Sequence, residues 1–459
     1  MARATAAGEA AVAVVRLSGP DTRHILGRLF RPKFGAKSAA GNHLQPWRLY
    51  LGELINPEPD PARGQAIDEC LAVFMPAPRS YTGEDVGELH LHGGRAISER
   101  ALELACELGA RLAEPGEFTR RAYLAGRLDL AQAEAVCELV RSRTAAAARL
   151  AAAQLQGGLS RRIEALRQAL ADMVASAEAA IDFPEEEVEL VAPQEEAAAI
   201  RRGPLRLVEE LLAAGRAAEM VREGAQVTIC GRPNVGKSTL LNALLGRERA
   251  LTSPQPGTTR DFIEEALEVR GVPVRLIDTA GLREQAQGVE AAGVALAEAK
   301  LASCDLALAV LDASLPLAPE DAALARRVRA HPHLAVLNKA DLPAQVSPEE
   351  ARRLFPEAAA LLSISALRGD GVDDLRARLA SLLAPEALPE VAPGARHQDA
   401  LRRARGSLER ALEALEGGTG VEIYAAELRG ALSALGEVCG QTATEEILER
   451  IFSRFCIGK

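Results

Sequence analysis

The sequence predicts a doubly wound α/β domain set into a helical domain, with a smaller α/β unit ahead of both. Three observations carry this. Residues 223–383 alternate short apolar runs with stretches of helical spacing, the pattern of a parallel sheet flanked by helices. Long Ala/Leu/Arg/Glu stretches with apolar 3–4 spacing lie on both sides of that segment. Residues 1–118 instead show short strand-like runs punctuated by Gly and Pro.

In chain order, 11–16, 71–75 and 87–91 read as strands and 96–112 as a helix. From 119 to 181 the texture is helical; Gly157-Gly158 interrupts it and Asp182-Phe183-Pro184 stops it. It resumes at 193–222. A Pro-containing connector, 385–393, follows the central segment, and helix returns from 397 to 455. The expected domains are 1–118, 119–222, 223–383 and 384–459. The second and fourth are halves of one helical domain, because insertion is tolerated where termini lie close together.

Composition narrows the function class. The chain has 459 residues, 48% of them apolar and 26% charged, with only 3% aromatic. A net charge of −10 argues against a protein that coats nucleic acid non-specifically. The seven cysteines include no C-x-x-C pair and suit no disulfide framework. No basic-then-apolar leader precedes Gly8 and no run of eighteen apolar residues occurs, so the expected setting is a reducing cytoplasm without a membrane partner. Cys456-Ile457-Gly458-Lys459 has only the outline of a prenylation tail. Only six basic residues are lysine, and Lys237, Lys339 and Lys459 are among them, marking positions where a compact ammonium matters.

Residues 231–238, Gly-Arg-Pro-Asn-Val-Gly-Lys-Ser, match G-x-x-x-x-G-K-[ST] between a strand-like run (226–230) and a helical one (238–245). Asn234, Val235, Gly236, Lys237, Ser238 and Thr239 would ring a phosphate chain at a helix N-terminus. Lys237 would reach the outer phosphates, and the Ser238 hydroxyl would sit on Mg²⁺. Asp278-Thr279-Ala280-Gly281 follows the run 274–277; the aspartate can hold Mg²⁺ through water and the glycine N–H can meet the γ-phosphate. Asn338-Lys339-Ala340-Asp341 follows 334–337, and a carboxylate there accepts from N1–H and the 2-amino group of guanine. Ser365 and Ala366 would bring a backbone N–H to guanine O6. Separations of about 40, 60 and 25 residues suit ligand binding at the strand ends of a doubly wound sheet. The segment resembles a Ras-like GTPase of the translation-factor-related class, which makes GTP and Mg²⁺ the expected cofactors.

Five further segments resemble the bacterial tRNA-modification GTPase family MnmE, also called TrmE. They are Val15-Arg16-Leu17-Ser18-Gly19; residues 80–85 running to His92-Gly93-Gly94; 114–122 running to 126–135; 179–185; and Phe455-Cys456-Ile457-Gly458-Lys459. The resemblance spans nearly the whole chain. It implies a Ras-like P-loop GTPase domain inserted in an all-α domain and preceded by a small α/β folate-binding domain that dimerises. It also implies a homodimer that acts with the flavoprotein MnmG (GidA) on C5 of the wobble uridine of tRNA. The carbon would come from a 5-formyl- or methylene-tetrahydrofolate and the amine from glycine or ammonium. The family's folate contacts fall on Arg16, Glu88, Arg127 and Lys459.

For hydrolysis, Leu282 stands where Ras-like enzymes place a water-orienting glutamine, and no arginine finger is evident. The resemblance implies replacements. Asn234, with Ser253, Gln255 and Thr258, would hold K⁺ beside the phosphates when two GTPase domains meet. Thr259 would join Ser238 on Mg²⁺, and Glu290 would position water. Two departures stand out: Ala6-Ala7 where the family has prolines, and Pro254 and Pro256, which stiffen the potassium loop. Cys456 reads either as a nucleophile toward uracil C6 or, preferably, as a small residue packed beside the folate pocket. The alternative function is a regulatory or ribosome-assembly GTPase switch without one-carbon chemistry. No strongly basic module after residue 383 supports it.

Overall fold

The computed structural model describes residues 1–6, 8–33, 37–38, 41–42, 44–57, 64–142, 144–182, 193–246, 264–269, 272–278, 301–383, 389–441 and 444–459. The chain forms two compact units. One comprises Met1–Val140, Gln154–Val208 and Asp399–Lys459; the other comprises Arg141–Ala153 and Glu209–Gln398.

The first unit begins with strands β1 (Ala2–Arg3), β2 (Ala10–Ser18), β3 (Phe30–Pro32), a small ribbon of β4 (Lys37–Ser38) and β5 (Gly41–Asn42), then β6 (Tyr50–Ile55), β7 (Ala66–Met75) and β8 (Val86–Gly93). Six of these form an antiparallel sheet in the order β1-β2-β8-β7-β6-β3. Three of its strands, β2, β7 and β8, are read from sequence; β1 and β3 are too short to show a period, and β6 is not singled out from sequence. Along β2 and β8 the two-residue alternation of a strand sends Val15, Leu17, Leu89 and Leu91 to the core and leaves Arg16, Glu88 and His90 on the other face. Helices α1 (Thr22–Leu29) and α2 (Arg95–Glu107) supply Ile25, Leu26, Leu29 and Leu104 to the same core. The helix expected to reach 112 stops at Glu107, and Gly109 beyond it takes φ 98°.

The helical part of this unit follows as α3 (Glu117–Leu124), α4 (Leu130–Arg141), α6 (Gly158–Asp182) and α7 (Pro193–Ile200), while the intervening α5 (Ala145–Leu155) belongs almost wholly to the second unit. Asp129 caps α4: its carboxylate accepts from Gln132 N–H, and Gln132 Oε1 accepts from Asp129 N–H. That reciprocal box is the local reason for the Leu-Asp-Leu-Ala-Gln run. A π-turn at Arg201–Leu205 separates α7 from α8 (Arg206–Glu223), because Pro204 has no N–H to continue an α-helical ladder.

The second unit is built on a six-stranded sheet. β9 (Ala225–Cys230) precedes α9 (Lys237–Leu245), β10 (Glu264–Val269), β11 (Val272–Asp278), β12 (Leu306–Asp312), α10 (Pro319–Val328), β13 (His333–Asn338), α11 (Pro348–Leu354), β14 (Leu361–Ser363) and α12 (Val372–Leu383). The order is β10-β11-β9-β12-β13-β14, with all pairs parallel except β10 against β11. The order reverses beside β9, the position at which open α/β sheets bind ligands. Every residue of β12 and β13 is buried, as expected of strands covered on both faces. Val227, Ile229, Leu308 and Val336 pack against α9 and α12 on one side; Ala309, Leu311 and Leu337 pack against α10 and α11 on the other. The fold class read from sequence therefore holds.

The helices α13 (Ala395–Gly417), α14 (Val421–Cys439) and α15 (Glu445–Phe452) complete the chain. α14 packs along α6, where Ala425, Ala431 and Ala434 permit close approach. Among the described residues, no helix is long and apolar enough to cross a membrane.

Candidate functional site

The candidate nucleotide residues lie where β9, β12, β13 and β14 end. Gly231 follows β9, and a Cβ there would collide with the carbonyl oxygen of Val310. Gly236 takes φ 94° and lies against Asn338 Nδ2, so both handedness and space require glycine. α9 starts at Lys237, which places its first-turn N–H groups and positive dipole end at the loop. Lys237 is buried, and its Nζ spans the loop to the carbonyls of Gly231 (3.1 Å) and Arg232 (2.7 Å). Ser238 and Thr239 stand exposed on the same turn.

Asn338 ties three loops together. Its Nδ2 donates to Val235 O at 2.9 Å, and its Oδ1 accepts from Ala366 N–H at 3.0 Å. The Ala366 N–H, read from sequence as a donor to guanine, is thus engaged by Asn338 here. Lys339 adopts φ 65° and donates to Asn234 O at 2.8 Å; Asn234 itself sits at φ 64°, which asparagine tolerates. Asp341 accepts from Ser365 Oγ at 2.6 Å, and that bond holds its carboxyl below the usual aspartate range. It is therefore an ionised acceptor, suited to the paired N–H donors of guanine.

Asp312, which sequence reading did not single out, completes the cluster. It ends β12, is buried, and pairs with Lys339 Nζ at 2.6 Å while its other oxygen accepts from Ser314 N–H and Oγ–H. Burial pushes its carboxyl up, but the Lys339 and Ser314 bonds outweigh burial and hold it below the ordinary value. A lone Asp before Ala-Ser carries no motif; only the parallel register of Asp312 with Asn338 reveals it.

Asp278 closes β11 in register with Ile229, so its backbone ends beside the phosphate loop. Its side chain, together with Ser253, Gln255, Thr258, Thr259, Thr279, Ala280, Gly281, Leu282 and Glu290, lies outside the described residues.

In the other unit, three of the four expected folate residues gather around one loop and the chain end. Arg16 and Glu88 face each other across β2 and β8, with Nε to Oε1 at 2.8 Å. The Arg16 guanidinium lies 5.7 Å from the ring centres of both Tyr81 and Phe118. It also donates to Gly458 O at 3.3 Å, and Phe118 N–H donates to Lys459 O at 3.2 Å. Arg127 is more exposed and donates to Pro78 O at 3.1 Å, on the loop that carries Tyr81. His90 Nε2 meets Glu88 Oε2 at 3.0 Å; this bond, more than burial or Arg16, sets the Glu88 carboxyl below its usual value. Cys456, expected as a packed residue, is exposed: the tail makes its contacts through backbone, with Cys456 O accepting from Lys459 N–H.

Comparison with known proteins bears on both units. A family model described as the MnmE helical domain matches residues 130–456, and one described as the GTP-binding protein TrmE N-terminus matches 1–127. The chain belongs to the MnmE family of tRNA modification GTPases. It is 46% identical over 461 residues to the tRNA modification GTPase MnmE of Chloroflexus aurantiacus, covering 99% of this chain and 98% of that one. The relative from Symbiobacterium thermophilum is also 46% identical, with the same coverage. The Geobacter sulfurreducens protein of that name is 43% identical, again over 99% and 98%. The curated relatives carry the name tRNA modification GTPase over nearly the whole length of this chain.

Proposed function

We propose that this chain is the GTP-hydrolysing component of a system that builds a carboxymethylaminomethyl group on C5 of the tRNA wobble uridine. It works as a homodimer with the flavoprotein MnmG and draws its carbon from a tetrahydrofolate. What carries the reading is the coexistence, in one MnmE-family chain, of a guanine cradle with a second polar site at Arg16 and Glu88.

The residues present fit their partners. Lys237 and the amides of the α9 turn match a phosphate chain, and the ionised Asp341 matches guanine. Ser238, exposed on that turn, would hold Mg²⁺ with Thr259; the ion neutralises phosphate charge. Asn234 would hold K⁺ with Ser253, Gln255 and Thr258, which would be ordered as two GTPase domains meet, and Glu290 would position water. At the second site Glu88 accepts from the N–H edge of a pterin, while Arg16, Arg127 and Lys459 supply cationic charge for the folate tail.

Three measurements test this. Calorimetric titration of 5-formyltetrahydrofolate into the full chain is expected to show saturable binding, and no heat would favour a simple switch. GTP turnover is expected to be faster in potassium than in sodium salts; equal rates would remove the Asn234 assignment. Deleting the gene should leave wobble uridines without the side chain.

A further inference from the structure

The period of a strand puts residues 88 and 90 on one face of β8, opposite Arg16 of β2. Glu88 therefore meets two donors. Arg16 Nε bonds Oε1 at 2.8 Å, and His90 Nε2 bonds Oε2 at 3.0 Å. The terminal carboxylate torsion of a glutamate is otherwise broad, and one donor on each oxygen pins it. All three side chains are largely covered, at 19% exposed for Arg16, 16% for Glu88 and 27% for His90. Arg16 Nε bonds Oε1 while its Nη1 donates to Gly458 O, and His90 bonds Oε2.

We propose that His90 is a positioning residue that fixes Glu88 as an oriented, acceptor-only carboxylate for the donor edge of a 2-amino-4-oxo ring; this rests on the folate reading above. The bond that holds Glu88 ionised comes first from His90 and then from Arg16. An ionised carboxylate with a fixed plane accepts two adjacent N–H groups and rejects a ring that presents carbonyl oxygens there. His90 thus contributes selectivity without touching the ring.

The test uses the full-length chain, 5-formyltetrahydrofolate as probe, and calorimetry. His90→Phe keeps the ring volume and removes the donor; its affinity is expected to fall about tenfold, the size of one charge-assisted hydrogen bond. His90→Gln places an amide N–H where Nε2 stood and is expected to bind within about twofold of wild type. The three proteins should share one thermal unfolding midpoint. A wild-type chain that ignores the probe sinks the folate reading and this proposal with it. Wild type and His90→Phe binding equally well sinks the His90 role alone. So does equal weakness of both variants with a lowered midpoint, because His90 would then be only a packing residue.

Discussion

At the scale of single residues, Asp312 decides how firmly the guanine loop is joined to the phosphate loop. Its carboxylate grips Lys339, and Lys339 grips the Asn234 carbonyl. Replacing the acid leaves an ammonium whose nearest counter-charge is gone, beside a backbone conformation with positive φ that Lys339 holds only because its surroundings demand it. Asp312→Asn is therefore expected to weaken GDP and GTP by about tenfold, the scale of a lost charged hydrogen bond, with a smaller effect on turnover at saturation. Titration with a fluorescent GDP analogue checks this, and unchanged affinity would show Lys339 to be self-supporting. The pH dependence has a definite sign. Since the folded carboxyl lies below its unfolded value, the pair's contribution is complete above that unfolded value and is lost as pH falls through the folded one.

At the scale of elements, α9 depends on how each end is satisfied. Its last turn is held by bonds from a neighbouring helix. Arg376 of α12 donates to the carbonyls of Ala243 (3.1 Å) and Leu244 (2.7 Å), groups a helix C-terminus leaves unpaired. Arg376→Met keeps the aliphatic stem and removes the donors; unfolding in urea is expected to show a loss of about 1–3 kcal/mol. α3 shows the same dependence on an ionised group. Burial pushes the Glu117 carboxyl up, yet Arg111, Arg121 and the Glu114 N–H bring it down to about 2 from the usual 4.5. Stability from this cluster is full above pH about 4.5 and fades as pH falls toward 2; Glu117→Gln should flatten that part of the unfolding-versus-pH curve, and an unaltered slope would place the acid sensitivity elsewhere. The helices and the positions of the 231–238, 338–341 and 365–366 loops at strand ends were legible because each rests on local spacing. β1, β3 and the Asp312 and His90 contacts were not, because a two- or three-residue strand has no measurable period and a cross-strand partner leaves no trace along the chain.

At the scale of the molecule, the least legible feature is that the first and last residues meet. Arg16 and Gly458 are 442 positions apart in sequence yet share a hydrogen bond. The approach is tight: Gly458 has φ 96°, and a Cβ on it would run into the backbone of Arg3 and Ala4. The tail is held by its main chain, through Gly116 N–H to Cys456 O and Phe118 N–H to Lys459 O, while Phe452 and Phe455 anchor it among Leu130, Val136 and Leu448. Such a tail should act as one wall of the Arg16 site. Gly458→Ala cannot keep the left-handed turn without strain of about 1–2 kcal/mol, and the cheapest relief is for the last residues to lift away from β1. The variant is then expected to lose 5-formyltetrahydrofolate binding while keeping wild-type affinity for GDP, measured on the same preparation. A Gly458→Ala chain that binds the folate normally would mean that the tail rests beside the site without forming part of it.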